Sequence, residues 1–257
     1  MSLDWEHIRL DPLVSEGPVA FSPDLGPTSL LAAYRAGFYP FPATSFEEAL
    51  VNEVRYAADV AAGRIIVDDA PEPYRAAWLS PDPRPVVDVQ AKRPGRTIRR
   101  LARDGQRWRS TVDRCFTQVI AECAAGRSET WISAELRATM SELHADGVAH
   151  SVEIWDGSEL IGGAFGVQLG AVFSADSQFT KTSGAGKVAV ADLMARFSEA
   201  SGRLLDCQSS GVHAANLGAT NIARDTYLRR LMELREEPTS LPLDTRPVDH
   251  LTRVRVT

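Results

Sequence analysis

The stretch AHSVEIWDGSELIGGAFGVQLGAVFSADS, residues 149–177, decides the fold class. Residues 151–155, 160–169 and 171–177 read as strand runs. Asp156-Gly157 and Leu169-Gly170 separate these runs and are hairpin-turn pairs. Three antiparallel strands are expected. On either side the period is helical. Phe116, Val119, Ile120 and Cys123 share one stripe, as do Leu136, Met140 and Leu143 behind a Ser133 cap. Residues 97–104 form a short basic helix beside Arg96. After the meander a helix starts near Gly186, with Val190, Met194 and Phe197 on one face, and stops at Gly202. Residues 203–208 then read as a short buried strand and 222–234 as a helix. Helices, meander, helix, strand and helix in that order predict an α+β fold.

Toward the N-terminus, Pro and Gly are dense in residues 17–42 and 71–94. A short helix is expected over 28–35, ended by Gly37 and Pro40. Residues 46–62 read as a longer helix with Leu50, Val54 and Ala57 on one stripe. The three prolines of residues 80–85 argue against a helix or a central strand there. A domain boundary is placed at that point, dividing the chain into 1–84 and 85–257.

A chain of 257 residues can bury a core without metals or disulfides. Its three cysteines form no zinc-type spacing and predict reduced thiols. No apolar run reaches the length of a membrane span, and the acidic, mixed N-terminus is no secretory signal. A cytoplasmic protein is expected. The net charge of −6 excludes a generic nucleic-acid coat but leaves room for a local basic patch.

Five segments carry a resemblance. They are residues 33–41 (Ala-Tyr-Arg-Ala-Gly-Phe-Tyr-Pro-Phe), 80–84 (Ser-Pro-Asp-Pro-Arg), 130–132 (Thr-Trp-Ile) and 149–155 (Ala-His-Ser-Val-Glu-Ile-Trp). The last is Asp206-Cys207-Gln208, followed by His213 and Leu217-Gly218-Ala219. In this order the chain resembles the leucyl/phenylalanyl-tRNA–protein transferase family. The resemblance implies a small N-terminal domain and an acetyltransferase-like (GNAT-type) C-terminal domain with a mixed sheet. It also implies transfer of Leu or Phe from aminoacyl-tRNA to a protein N-terminus bearing Arg or Lys. Against the family, some twenty residues near 43–75 are extra.

The chemistry is readable from the residues. An aminoacyl ester is already activated, so no ATP, metal or redox cofactor is expected. The enzyme must align a neutral amine with the ester and stabilise the oxyanion. Asp206 at a strand end orients Gln208, and the Gln208 carbonyl positions the amine. Cys207 should point to the opposite strand face and serve the core. His150 reads as structural. Trp131, after Ser128-Glu129-Thr130, is expected to stack on the terminal adenosine, with Phe41 standing where the family has Trp. Arg96, Arg99, Arg100 and Lys187 are expected to meet tRNA phosphates. Asp176, Ser177, Gln178, Phe179 and Phe165 are expected to shape the aminoacyl pocket. The family pattern there is Gly-Glu-Ser-Met-Phe, so a polar Gln178 predicts a transferred residue other than Leu or Phe.

Other readings stand beside this one. Lys181 to Gly186 resembles a phosphate-cradling loop and would suit an acyl-CoA-dependent N-acyltransferase. A small-molecule amine could replace the protein acceptor, and a non-catalytic tRNA- or degron-binding module is a third class.

Overall fold

The computed structural model describes residues 3–253, apart from 106 and 126–129. The fold is mixed α and β, with two mixed sheets. Strands β1 (Pro18–Phe21), β2 (Tyr39–Pro42), β3 (Ile66–Val67) and β4 (Ala76–Leu79) form one sheet in the order β2-β4-β1-β3. Helix α1 (Pro27–Arg35) lies between β1 and β2. Helix α2 (Phe46–Ala61) lies between β2 and β3.

The second sheet has eight strands. In chain order they are β5 (Arg84–Asp88), β6 (Trp108–Val112), β7 (Ala149–Asp156), β8 (Glu159–Leu169), β9 (Val172–Thr180), β10 (Leu204–Asp206), β11 (Thr220–Ile222) and β12 (Arg246–Pro247). Their spatial order is β11-β5-β10-β9-β8-β7-β6-β12. The pair β9–β10 is parallel and the other pairs are antiparallel. Six helices accompany this sheet. They are α3 (Arg96–Asp104), α4 (Phe116–Ala124), α5 (Ala134–Ala145), α6 (Ala185–Glu199), α7 (Val212–Leu217) and α8 (Arg224–Leu234).

The expected meander is present as β7, β8 and β9. Gly157 and Gly170 take positive φ at its two turns, as those turns require. Ser133 caps α5 by accepting the Leu136 N–H. One face of the sheet packs on α4, α5, α8 and the N-terminal elements. The other packs on α6, which is buried along most of its length.

Two expectations change. Arg84 and Pro85 lie in β5, which is paired on both sides, so the prolines did not exclude an interior strand. The β5–β10 ladder stops at Val86, and Pro85 contributes only its carbonyl, which accepts the Cys207 N–H at 3.0 Å. The missing proline N–H is therefore not needed. Ile222 ends β11, and α8 begins at Arg224. The stripe Leu50, Val54 and Ala57 of α2 faces solvent, while Ala49, Tyr56 and Val60 pack inward.

Candidate active site

Strand register builds the site. Asp206 pairs with Val86 of β5 and Ser174 of β9. Two residues further along each strand direction, Arg84, Gln208 and Asp176 meet at the same end. Alternation puts Arg84 and Asp176 on the face of Val86, away from α6, and hydrogen bonds to Ser174 and Asp176 bring the Gln208 side chain there. Helix α1 brings Tyr34, β2 brings Tyr39 and α8 brings Tyr227.

Asp206 is fully buried, and four donors reach its carboxylate. Arg84 donates twice, Nε to Oδ1 at 2.8 Å and Nη2 to Oδ2 at 2.7 Å. The Tyr227 hydroxyl donates to Oδ2 at 2.8 Å. The Gln208 main-chain N–H donates to Oδ1 at 2.9 Å. The Arg84 guanidinium sits between the rings of Tyr39 and Tyr227, 4.9 and 4.6 Å from their centroids. Burial works against its charge, yet the charge and hydrogen bonds of Asp206, together with Tyr227 and Tyr39, outweigh this and raise its pKa. Burial also pushes the Tyr39 phenol up to about 12 and that of Tyr227 well above its ordinary range. Arg84 therefore stays charged and both phenols stay neutral at neutral pH.

Gln208 is held in the left-handed region, φ 62°. For a residue with a Cβ this costs about 1–2 kcal/mol. The Asp206 side chain accepting the N–H two residues on stabilises that conformation. The Gln208 amide Nε2 donates to Asp176 Oδ1 at 2.5 Å and Ser174 Oγ at 3.0 Å. Those two acceptors set which end of the amide is the carbonyl. The Tyr34 hydroxyl donates to Asp176 Oδ2 at 2.8 Å. Burial pushes the Asp176 carboxyl up to about 8, against the Tyr34 hydrogen bond, and the nearby Asp206 charge adds to the rise.

Phe165 and Phe179 line the same face of the sheet as this cluster, and Phe165 lies directly across from Ser177. Phe41 and Trp131 stack with centroids 6.1 Å apart and planes 18° from parallel. Phe41 is exposed and Trp131 half-buried, so the pair offers an aromatic surface. On the α6 side, the β5–α3 connection, α6, α7 and the C-terminal segment enclose a cleft of about 1370 Å³. Lys92, Arg93, Arg96, Lys187, Arg246 and Arg253 line it, against the single carboxylate of Glu199.

Residues 86–232 match the family model of leucyl/phenylalanyl-tRNA protein transferase. A leucyl/phenylalanyl-tRNA–protein transferase of Cellvibrio japonicus is 33% identical over 255 residues, spanning 98% of this chain and 96% of its own. The chain belongs to this transferase family. Another member, from Proteus mirabilis, is 35% identical over 215 residues, covering 84% of this chain and 81% of its own. A third, from Shewanella denitrificans, is 33% identical over 222 residues, 86% of this chain and 83% of its own.

Of the residues expected in the site, Asp206, Gln208, Asp176, Ser177, Phe165 and Phe179 lie on one face of the sheet, whereas Gln178, Arg96 and Lys187 lie on the α6 side. Asp206, Gln208 and Asp176 share one hydrogen-bonded cluster. Gln178 does not join it. It pairs with Ala164, whose side chain belongs to the α6-side core, so Gln178 lies on the opposite face of β9. An irregularity in the β8–β9 ladder opposite Asp176 lets Asp176 and Ser177 share the site face. Arg96 and Lys187 line the basic cleft, while Arg99 and Arg100 are exposed on α3 outside it. Cys207 packs toward the α6-side core, and burial pushes its thiol up to about 12, which disfavours the thiolate. His150 bonds Asp113 at 2.7 Å. Ser128 and Glu129 lie outside the described residues, as does the His213 side chain.

Sequence reasoning assigned no role to Arg84, Tyr34, Tyr39, Tyr227 or Ser174. Arg84, Tyr34 and Tyr39 stand inside the segments that carry the resemblance, which was the available signal. In the loop from Lys181 to Gly186 the two glycine positions are committed to packing, while residues 181–183 are exposed. Lys181 pairs with Glu122, Gly184 makes room for Leu101, and Gly186 makes room for Thr180. A nucleotide cradle needs open backbone there.

Proposed function

We propose that the protein transfers Leu or Phe from aminoacyl-tRNA to the α-amine of a protein N-terminus beginning with Arg or Lys. The observation that carries this is the buried Gln208 amide, turned by Asp206 and locked at Nε2 by Asp176 and Ser174. Its carbonyl end accepts an N–H of the attacking amine and aims the nitrogen lone pair at the ester carbon. The C–N bond forms as the bond to the tRNA 3′ oxygen breaks. The amine proton ends on that oxygen. Gln208 positions the amine and is no base, because a protonated amide is far too acidic. Asp206 is saturated with donors and acts through Gln208 as a positioning residue.

The aminoacyl side chain lies against Phe165 and Phe179, beside Asp176 and Ser177. With Gln178 on the other face of β9, the polar side chain that argued against Leu or Phe does not face the donor group. Phe41 and Trp131 take the terminal adenosine. Arg96, Arg99, Arg100 and Lys187 take phosphates of the acceptor stem.

Residues 85–257 form the acetyltransferase-like domain and residues 1–84 a small N-terminal domain. The antiparallel β6–β9 run with its α6 crossover to a parallel β10 supports that division. None of the three cysteines is disulfide-bonded, which fits a cytoplasmic enzyme. No helix among the described residues is long and apolar enough to cross a membrane.

The test is a donor panel. The protein is incubated with an Arg-starting peptide and either charged tRNAs or acetyl-CoA. Transfer from leucyl- or phenylalanyl-tRNA is expected. Transfer from acetyl-CoA alone overturns the reading.

A further inference from the structure

We infer that the Tyr39 hydroxyl is a catalytic hydrogen-bond donor to the oxyanion of this transfer. The inference rests on the transfer reading, which needs such a donor and leaves the role unfilled. Attack on an ester turns its carbonyl oxygen into an oxyanion. A donor aimed at that oxygen is worth about 100-fold in rate or more.

In the cluster around Asp206 and Gln208 the side-chain donors are spent on carboxylates. Arg84 Nε and Nη2 and the Tyr227 hydroxyl go to Asp206. Gln208 Nε2 and the Tyr34 hydroxyl go to Asp176. Tyr39 differs. Its hydroxyl has no acceptor among the described residues, and its oxygen is not sealed from solvent. Tyr39 and Tyr227 flank the same guanidinium, yet only Tyr227 has its hydroxyl occupied. Arg84 Nη1 and Ser177 Oγ are also unpartnered, but both are buried where no substrate atom reaches them.

The strand that carries Tyr39 places it on the path of the ester. The transfer reading puts the terminal adenosine on Phe41 and Trp131 and the amine at Gln208. The ester hangs on the ribose of that adenosine, so it lies between the two. Tyr39 stands two residues before Phe41 on β2, in unbroken register with β4. Alternation therefore turns both rings to one side of the strand, about 7 Å apart. From there Tyr39 reaches the Arg84 guanidinium, 4.9 Å from its ring centroid, which holds Asp206.

The phenol suits the task. Burial pushes its pKa up to about 12, so it keeps its proton at neutral pH and can donate. The Arg84 charge against the ring works the other way, stabilises negative charge on the phenol oxygen and so strengthens the O–H as a donor. As the amine nitrogen bonds to the ester carbon, the carbonyl π pair moves onto oxygen. Tyr39 donates a hydrogen bond to that oxygen and retains its proton. The carbonyl then re-forms, the bond to the tRNA 3′ oxygen breaks, and the amine proton ends on that oxygen.

The test removes the hydroxyl alone, with Tyr39→Phe, and uses phenylalanyl-tRNA and an Arg-starting peptide. We expect kcat to fall about 100-fold, with KM for the tRNA within about twofold of wild type. Two stable analogues separate the oxyanion from the ground state. One is a phosphonamidate joining adenosine, a phenylalanine-like side chain and arginine amide, with a charged P–O in place of the oxyanion. The other is phenylalanyl-adenosine with a planar 3′ amide in place of the ester. The variant should lose about 100-fold in affinity for the first and none for the second. Its Tm should match wild type, because the hydroxyl has no protein partner to lose.

A kcat within about threefold of wild type overturns the inference. So does an equal loss of affinity for both analogues, or a clear fall in Tm, either of which makes the hydroxyl a binding or structural group. The rival donor is the exposed Ser209 hydroxyl beside Gln208. The expected profile in Ser209→Ala, with Tyr39→Phe near wild type, assigns the role there instead. A wild type that transfers nothing from phenylalanyl- or leucyl-tRNA overturns the transfer reading itself, which separates the two failures.

Discussion

Asp206 Oδ1 accepts the main-chain N–H of Gln208 at 2.9 Å. The carboxylate therefore sets the backbone of Gln208, while Asp176 and Ser174 set its side chain. One residue is aimed by two independent devices. That separation lets orientation and charge be tested apart.

Replacing Gln208 by Ala removes the carbonyl that aligns the amine. Loss of a positioning contact of this kind costs on the order of 100-fold in rate. We expect kcat to fall by that order while affinity for charged tRNA stays within about twofold. Single-turnover transfer and filter binding measure the two. Equal loss of both would make Gln208 structural.

Asp206→Asn keeps the size of the side chain but leaves the Arg84 charge buried and unpaired. Breaking a buried pair costs about 3–5 kcal/mol. Denaturant unfolding should show that loss. Adding Arg84→Met should restore part of it, because the uncompensated charge is gone. A double variant no more stable than Asp206→Asn would mean that the pair is not what holds this corner.

Asp176 makes stability depend on pH with a definite sign. Its folded carboxyl lies near 8 through burial, above its ordinary range. The folded protein therefore binds this proton more tightly than the unfolded chain between about pH 4 and 8. Stability from this group is full below that window and is lost as pH rises through it. The Tm of the wild type should fall relative to that of Asp176→Asn as pH rises from 5 to 8.5. Parallel curves would show that the carboxyl titrates normally.

Arg96 and Lys187 line the basic cleft from two different elements. If each meets one phosphate, Arg96→Ala/Lys187→Ala weakens tRNA binding and lowers the salt dependence by nearly two charges. Binding measured from 50 to 200 mM salt reads both effects. An unchanged slope would place the acceptor stem elsewhere.

The antiparallel meander was legible in residues 149–177, because strand alternation and Asp-Gly or Leu-Gly turns are local signals. Helices α4, α5 and α6 were legible for the same reason. The pairing of Asp206 with Gln208 was also local, two residues apart on one strand end. The strand at Arg84–Asp88 was not, since its prolines hide it and only the end of the β10 ladder shows that Pro85 needs no N–H. The face of Gln178 was not either. An irregularity in the β8–β9 ladder shifts the alternation by one residue there, and register is a property of two strands. Nor could the sequence say that the α2 stripe points outward, because a periodic pattern gives a face but not what covers it.

The sequence by itself determined the meander, helices α4, α5 and α6, the family and the Asp206–Gln208 turn, all set by neighbours along the chain. Only the tertiary structure decided that Arg84, Tyr39 and Tyr227 cage Asp206. Those groups come from separate strands and a helix, and they meet only where both sheets close on one buried charge.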